Sequence, residues 1–382
     1  MDDLLKDFDF NRKLGEKPDP VEICYLLDAL VLMDKQPPPQ LVDHITTSFD
    51  TFGFTPYGFD TTRYAKGATC DGWTETAAMF LISTRNLEKS RFSYLKNPKH
   101  AKLVERATNW LLENQFPKDR PITHGGWALG NLTRSDSVRV YTFATYLGFY
   151  GLEYFKETSY YPTLQEGLNQ KFKTKYDESA IDAAIKDAIS HINIMRKVDK
   201  GGEVMFGLYA DCPGDLEKHA LSTLYSLEAL DDAGEYRPSD AEYLKALQSS
   251  FEWISKEATN TDFEVKYPYA PYYVAQRRAP PDIPDYSFPL LYVGSYITLD
   301  AKNPNFKLGS EAEQLLSDCI ERISALLRDR DFTVYQGLAE YVNDYPEAFG
   351  KKPSSEEGRH EIDVLTDIHN ELKEIRRILS ER

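Results

Sequence analysis

The chain of 382 residues, 41% hydrophobic and 28% charged, has the composition of a globular protein with a sizeable core, which excludes a fibrous or disordered chain. Its 61 acidic against 45 basic residues leave a net charge of -16, which repels phosphate backbones and anionic lipid surfaces and excludes nucleic acid as a natural partner. Cys24, Cys70, Cys212 and Cys319 form no CxxC pair, the opening MDDLLKDFDF is acidic where a leader would be basic, and no run approaches the ~18 apolar residues of a membrane span. The expectation is a cytoplasmic protein in a reducing compartment, with no membrane span.

Apolar residues recur at spacings of three and four in nearly every segment, and strictly alternating runs are scarce, which predicts an all-α chain. The first stripe runs from Val21 to Met33, opened by Pro18-Asp19-Pro20 and closed by Pro37-Pro38-Pro39. Further stripes cover Thr74 to Ser83, Ala101 to Asn114, Val138 to Phe155, Ala180 to Met195 and Glu217 to Leu230. Others follow at Asp240 to Ser255, Phe288 to Leu299, Glu311 to Leu327 and Tyr335 to Tyr341, for about ten or eleven helices in all.

Laid beneath one another, these segments repeat as a two-helix unit. The clearest copy is ATNWLLENQ at Ala107 to Gln115, a polar loop, HGGW at His124 to Trp127, and then a helix through RVYTFATYLGFYGL. HITTSFDTFGF with CDGW and TETAAMFLIS is an earlier copy, and ISHINIMRKVDKGGE with HALSTLYSLEAL a later one. SSFEWISKEA leading to SFPLLYVGSYITL, and CIERISALLRDRDF before VYQGLAEYV, continue the series at uneven intervals of roughly 60 to 80 residues. In the clearest copy, Gly125-Gly126 permits a tight turn, Trp127 staples that turn to its neighbour, and Gln115 is placed to satisfy helix-end groups.

WLLENQ, nine intervening residues and GGW, followed by a helix rich in small residues, resembles the glutamine–tryptophan repeat of squalene and oxidosqualene cyclases. The resemblance implies the α/α toroid that those enzymes share with protein prenyltransferase β subunits: about five to six helical hairpins, the inner helices surrounding a cavity. It spans roughly residues 20 to 345, and ordinary hairpin packing in an unrelated α-solenoid is the plainer reading of the same residues. The expected organisation is a toroid over residues 1–350, a polar linker over 351–358 and a helix over 359–382. In that last helix Leu365, Ile368, Leu372, Ile375 and Leu379 form a short heptad seam, suited to pairing with a copy of itself or with a helix of a protein partner, or to folding back.

In a toroid, the starts of the inner helices ring one mouth of the cavity. That draws attention to Cys70, Asp71, Trp73 and Glu75, to Arg134, Asp136 and Arg139, and to Asp211, Cys212, Asp215 and His219. Asp136, Arg139, Asp215 and His219 are the expected catalytic set. Asp71, Trp73, Trp127, Tyr272, Tyr273 and Arg277 are the expected ligand-binding set, the last three from the aromatic stretch YPYAPYYVAQRR. For any single acid at a helix start, capping towards the positive end of the dipole is the simpler explanation.

Two chemistries follow from the resemblance. Class II cyclases protonate their substrate from a DxDD motif, which is absent here. LDDAGE at Leu230 to Glu235 superficially matches an aspartate-rich metal motif, but Gly234 and Pro238 mark it as a helix stop. Protein prenyltransferases hold zinc with Asp, Cys and His, and ADCPGDLEKHALSTL offers Asp211, Cys212 and His219. The family's aspartate and cysteine ligands lie one or more repeats earlier, so zinc is the weaker expectation and a non-metal His219 the stronger. The leading functional expectation is a cavity for a largely apolar, isoprenoid-like ligand. The alternatives are a non-catalytic scaffold assembled through the tail and a carbohydrate-active toroid, whose carboxylates and tyrosines bind and cleave sugars.

Overall fold

The computed structural model describes residues 20–32, 36–52, 74–90, 98–118, 124–128, 140, 142–161, 177–198, 204–206, 220–234, 240–258, 292–297, 299 and 308–328. The first two helices are α1, Pro20–Leu32, and α2, Pro39–Phe52. Next come α3, Thr74–Lys89, α4, Pro98–Asn114, α5, Thr142–Lys156, and α6, Glu178–Ile194. The last three long helices among the described residues are α7, Ala220–Asp232, α8, Asp240–Ala258, and α9, Ser310–Arg328. Residues 292–297 form a further short helical stretch. The fold is predominantly helical, as the periodicity predicts.

Two kinds of helix alternate along the chain, and the sequence explains the alternation. Helices α1, α3, α5 and α7 carry small or apolar residues around most of their circumference. Along α3, Thr74, Thr76 to Thr84, Asn86 and Leu87 are all buried. Helix α4 instead carries one stripe, Leu103, Val104, Ala107, Trp110 and Leu111, with Lys99, Lys102 and Glu113 turned away from it. A helix buried on every side belongs inside, and a striped one belongs outside. The contacts agree: α1, α3, α5 and α7 pack against one another in chain order, while α2, α4 and α6 follow outside them. This is the layering expected of an α/α toroid.

Small residues let the inner helices approach closely. A Cβ on Gly151 of α5 would stand 2.9 Å from the Ala78 Cα of α3. Phe49, Phe80 and Phe251 fill the space between layers, with Phe49 and Phe80 edge to face at 5.1 Å. Phe251 of α8 stacks on Tyr292 at 4.2 Å, and the Tyr292 hydroxyl lies 2.7 Å from Ser255 Oγ, which ties the 292–297 stretch to α8.

Three features depart from the sequence reading. Pro39 was expected to close a helix and instead opens α2, where its missing N–H costs nothing and its fixed φ suits the first turn. The segment RKVDKGGEVMF holds a small hairpin: β1, Arg196–Val198, pairs antiparallel with β2, Val204–Phe206. Three-residue strands are too short to show alternation. The hairpin is anchored where the buried Phe206 donates its N–H to Thr223 Oγ1 of α7 at 3.0 Å. Finally, Val140, inside the expected Val138 to Phe155 stripe, is not helical, and α5 is described from Thr142.

Candidate functional site

The HGGW turn is built first by backbone geometry. Gln115 and Trp127 form an isolated antiparallel bridge, flanked by Phe116 N–H to Gly126 O and Gly125 N–H to Phe116 O, each at 3.0 Å. Gly125 has φ +83°, and a Cβ there would stand 2.1 Å from the Asp187 carbonyl oxygen of α6. Gln115 Nε2 donates to Gly125 O at 2.9 Å and to Ala184 O at 2.7 Å, so it clamps turn to outer helix rather than capping a helix end. His124 Nε2 and Asp187 Oδ2, 3.0 Å apart, add a second tie to α6.

Trp127, expected among the ligand-binding residues, has no exposed surface. Its ring lies under Gly148 of α5, where a Cβ would come within 2.7 Å of it, and its indole N–H donates to Leu111 O at 2.8 Å. The side chain is committed to packing, the stapling role its place in the repeat also suggests. Asp71, Trp73, Asp136, Arg139, Asp211, Cys212, Asp215, His219, Tyr272, Tyr273 and Arg277 lie outside the described residues, as do the linker 351–358 and the tail 359–382. Among the described residues no group of three His, Cys, Asp or Glu side chains could hold a metal ion, and no helix is long and apolar enough to cross a membrane.

The polar chemistry that the structure does describe lies along the seam of α5 and α7. Phe143, Tyr146, Tyr150 and Tyr154 recur at three- and four-residue spacing, which puts them on one face of α5. Tyr225, Glu228 and Asp232 of α7 meet them. The Tyr146 and Tyr225 rings are 4.5 Å apart, Tyr146 and Tyr150 4.7 Å, and Tyr150 and Tyr154 5.7 Å. Tyr146 donates its hydroxyl to Glu228 Oε2 at 3.2 Å, and Tyr150 donates to Asp232 Oδ2. Burial first, and then the neighbouring carboxylates, hold the Tyr150 phenol well above its ordinary value, so it stays a donor. At the far end, Arg85 lies 4.5 Å from the Tyr154 ring centroid and donates to Glu157 Oε2 at 2.8 Å, a carboxylate it shares with Lys89.

Glu75, one of the acids picked out at the inner-helix starts, stands half-buried in the first turn of α3. The preceding Thr74 is fixed by donating to Ala128 O at 2.6 Å, just beyond the HGGW turn. Burial raises the Glu75 carboxyl to about 7, so it holds a proton near neutrality despite the helix dipole. A protonated carboxyl that keeps part of its surface exposed can donate that proton, and paired tyrosines and carboxylates can hydrogen-bond hydroxyl groups.

The sequence reading missed the α5–α7 seam. It took Asp231 and Asp232 as part of a helix stop, which the structure bears out: Gly234 has φ +71° and donates to Asp231 O at 2.9 Å. The additional signal was two matched spacings, tyrosines one turn apart in TYLGFYGLEY and acids one turn apart in EALDD.

No family model matches the chain, and no curated protein sequence does. Among solved structures, an apo structure of a beta-1,3-1,4-glucanase from Paenibacillus sp. X4 is similar over 87% of this chain and 83% of that one, at 11% sequence identity and a TM-score of 0.49. Likeness at that level assigns neither family nor activity.

Proposed function

We propose that the protein is a carbohydrate-binding α/α toroid whose inner layer holds a polyhydroxylated ligand. The observation that carries this reading is the pairing of Tyr146 with Glu228 and of Tyr150 with Asp232, on the seam between two inner helices. Sugar sites combine apolar ring faces with a few fixed polar groups, and carboxylates are the acceptors that hydroxyl donors need. A largely apolar isoprenoid, the leading expectation from the sequence, offers these groups nothing and would charge the full cost of desolvating them. Asp136, Arg139, Asp215, His219, Tyr272, Tyr273 and Arg277 are proposed as further contributors at the mouth. If the bound sugar is also cleaved, Glu75 is the proposed proton donor: among the described residues burial raises its carboxyl and that of Asp28 to neutrality or above, and Asp28 has no exposed surface.

The test is a glycan array followed by calorimetric titration of the best ligand into wild type, Tyr146→Phe and Glu228→Gln. Loss of one charge-assisted hydrogen bond is expected to weaken binding by about tenfold or more in each variant. If no glycan binds, or both variants bind as wild type does, the reading fails. An isoprenoid released from the purified protein would reinstate the apolar cavity.

A further inference from the structure

Asp28 is an inner-layer carboxyl that the proposed ligand chemistry leaves unused. It lies one turn from the end of α1 and is fully buried. From α3, Ser83 donates its hydroxyl to Asp28 Oδ2 at 3.0 Å. The second oxygen, Oδ1, makes no hydrogen bond of full geometry, and Nδ2 of the buried Asn86, one turn along α3 from Ser83, lacks one too, so the Asn86 amide favours the ion at Asp28 without closing a well-aligned bond to it. A carboxylate needs several well-aligned donors or a paired cation to be ionised away from water, and one hydroxyl with one imperfectly placed amide does not suffice.

The charged surroundings offer little more. Arg85 of α3 acts on Asp28 only through space, since its guanidinium donates to Glu157 Oε2 at 2.8 Å and to Asn86 Oδ1 at 2.9 Å. Helix α2, which also packs on α1, carries Asp43 and His44, and neither contributes to the field at Asp28. The neutral carboxyl therefore belongs to the closed seam, and the ion belongs to a state in which that seam admits water.

We infer that the seam between α1 and α3 opens with the release of one proton from Asp28, so that the neutral carboxyl is a pH-sensitive latch on the inner layer. Burial raises the folded value from 3.8 to about 8, while Ser83, Asn86 and Arg85 pull it back only in part. With the folded value above the open one, the closed seam binds the extra proton between these limits. The stabilisation is complete below pH 3.8, falls as pH rises, and is gone above about pH 8. Within that window the opening constant grows about tenfold per pH unit, then levels off.

Native-state amide hydrogen exchange of α1 and of residues 82–87 between pH 6 and 9, corrected for intrinsic exchange, reads this directly. The wild type is expected to show slope one below a break near pH 8 and slope zero above it, while amides of α9 show no break. Asp28→Asn, neutral at every pH, should be flat throughout. A wild-type opening constant independent of pH, or an Asp28→Asn variant that keeps the slope, overturns the latch. Ser83→Ala gives an independent reading if Asp28→Asn does not fold. Removing a donor that favours the ion should move the break to higher pH, and an unmoved break also overturns the inference.

Discussion

At the scale of single residues, the HGGW turn shows how little freedom the repeat leaves. Gly126 carries no positive φ, yet a Cβ there would meet Val140 Cγ1 at 2.3 Å and His191 Nε2 at 2.8 Å. His191 cannot yield easily: it is buried, its Nδ1 is 3.1 Å from His124 O, and burial lowers its imidazole to about 4. Gly125 adds a left-handed backbone to its own close contact. Gly125→Ala is therefore expected to cost about 2–5 kcal/mol, from backbone strain plus overpacking, and Trp127→Ala about 3–5 kcal/mol from cavity formation. Urea denaturation of the two variants checks both values, and a loss below about 1 kcal/mol in either would mean that the turn does not staple the layers. These residues were legible in the sequence because a glycine pair and a tryptophan at fixed spacing have one local reason to be there. Which face of Trp127 was free was not legible, because Gly148 and Leu111, which cover it, belong to two other segments of the chain.

At the scale of elements, the seam of α5 and α7 joins residues 82 positions apart in both of its hydroxyl–carboxylate pairs. The equal separation means that the two helices run in parallel and in register, as neighbouring inner helices of successive repeats must. Helix periodicity gave each partner its face but could not say which faces meet. The α7 end is also electrostatically costly: Glu228, Asp231 and Asp232 stand at a helix C-terminus whose last turn holds no basic residue. Phenol donors offset part of that cost. In a double-mutant cycle of Tyr150→Phe and Asp232→Ala, the coupling energy is expected at about 1.5–3 kcal/mol, typical of a hydrogen bond to a charged acceptor. Coupling near zero would show that the pair contributes no stability, leaving burial as the source of the seam's strength.

At the scale of the whole molecule, the layering was the most legible property of all. A helix with small residues on every side, such as α3, can only be an inner one, and a striped helix such as α4 can only be an outer one, so their alternation prescribes hairpins whose halves lie in different layers. The short β hairpin and the proline start of α2 escaped because each depends on two or three residues, below the length at which a period can be read. The tail beyond the linker has a different pattern from both classes: one narrow seam of Leu365, Ile368, Leu372, Ile375 and Leu379 on an otherwise charged sequence. A stripe that narrow does not cover an inner layer, and a helix of that length is marginal alone in water. Self-association through this seam is accordingly a proposal carried by its spacing, with a partner helix or folding back onto the helical layers as the alternatives. Sedimentation velocity separates them. If the seam assembles the protein, the full chain is an oligomer, while a chain ending at Gly350 and the Leu372→Asp variant both run as folded monomers. An unchanged sedimentation coefficient for Leu372→Asp, or an assembly that survives the truncation, would remove the tail from the interface. If the full chain is itself a monomer and the seam folds back, Leu372→Asp should lower the stability of the helical layers by about 1–3 kcal/mol, the cost of burying an unpaired polar group, whereas unchanged stability would leave the seam to a partner helix.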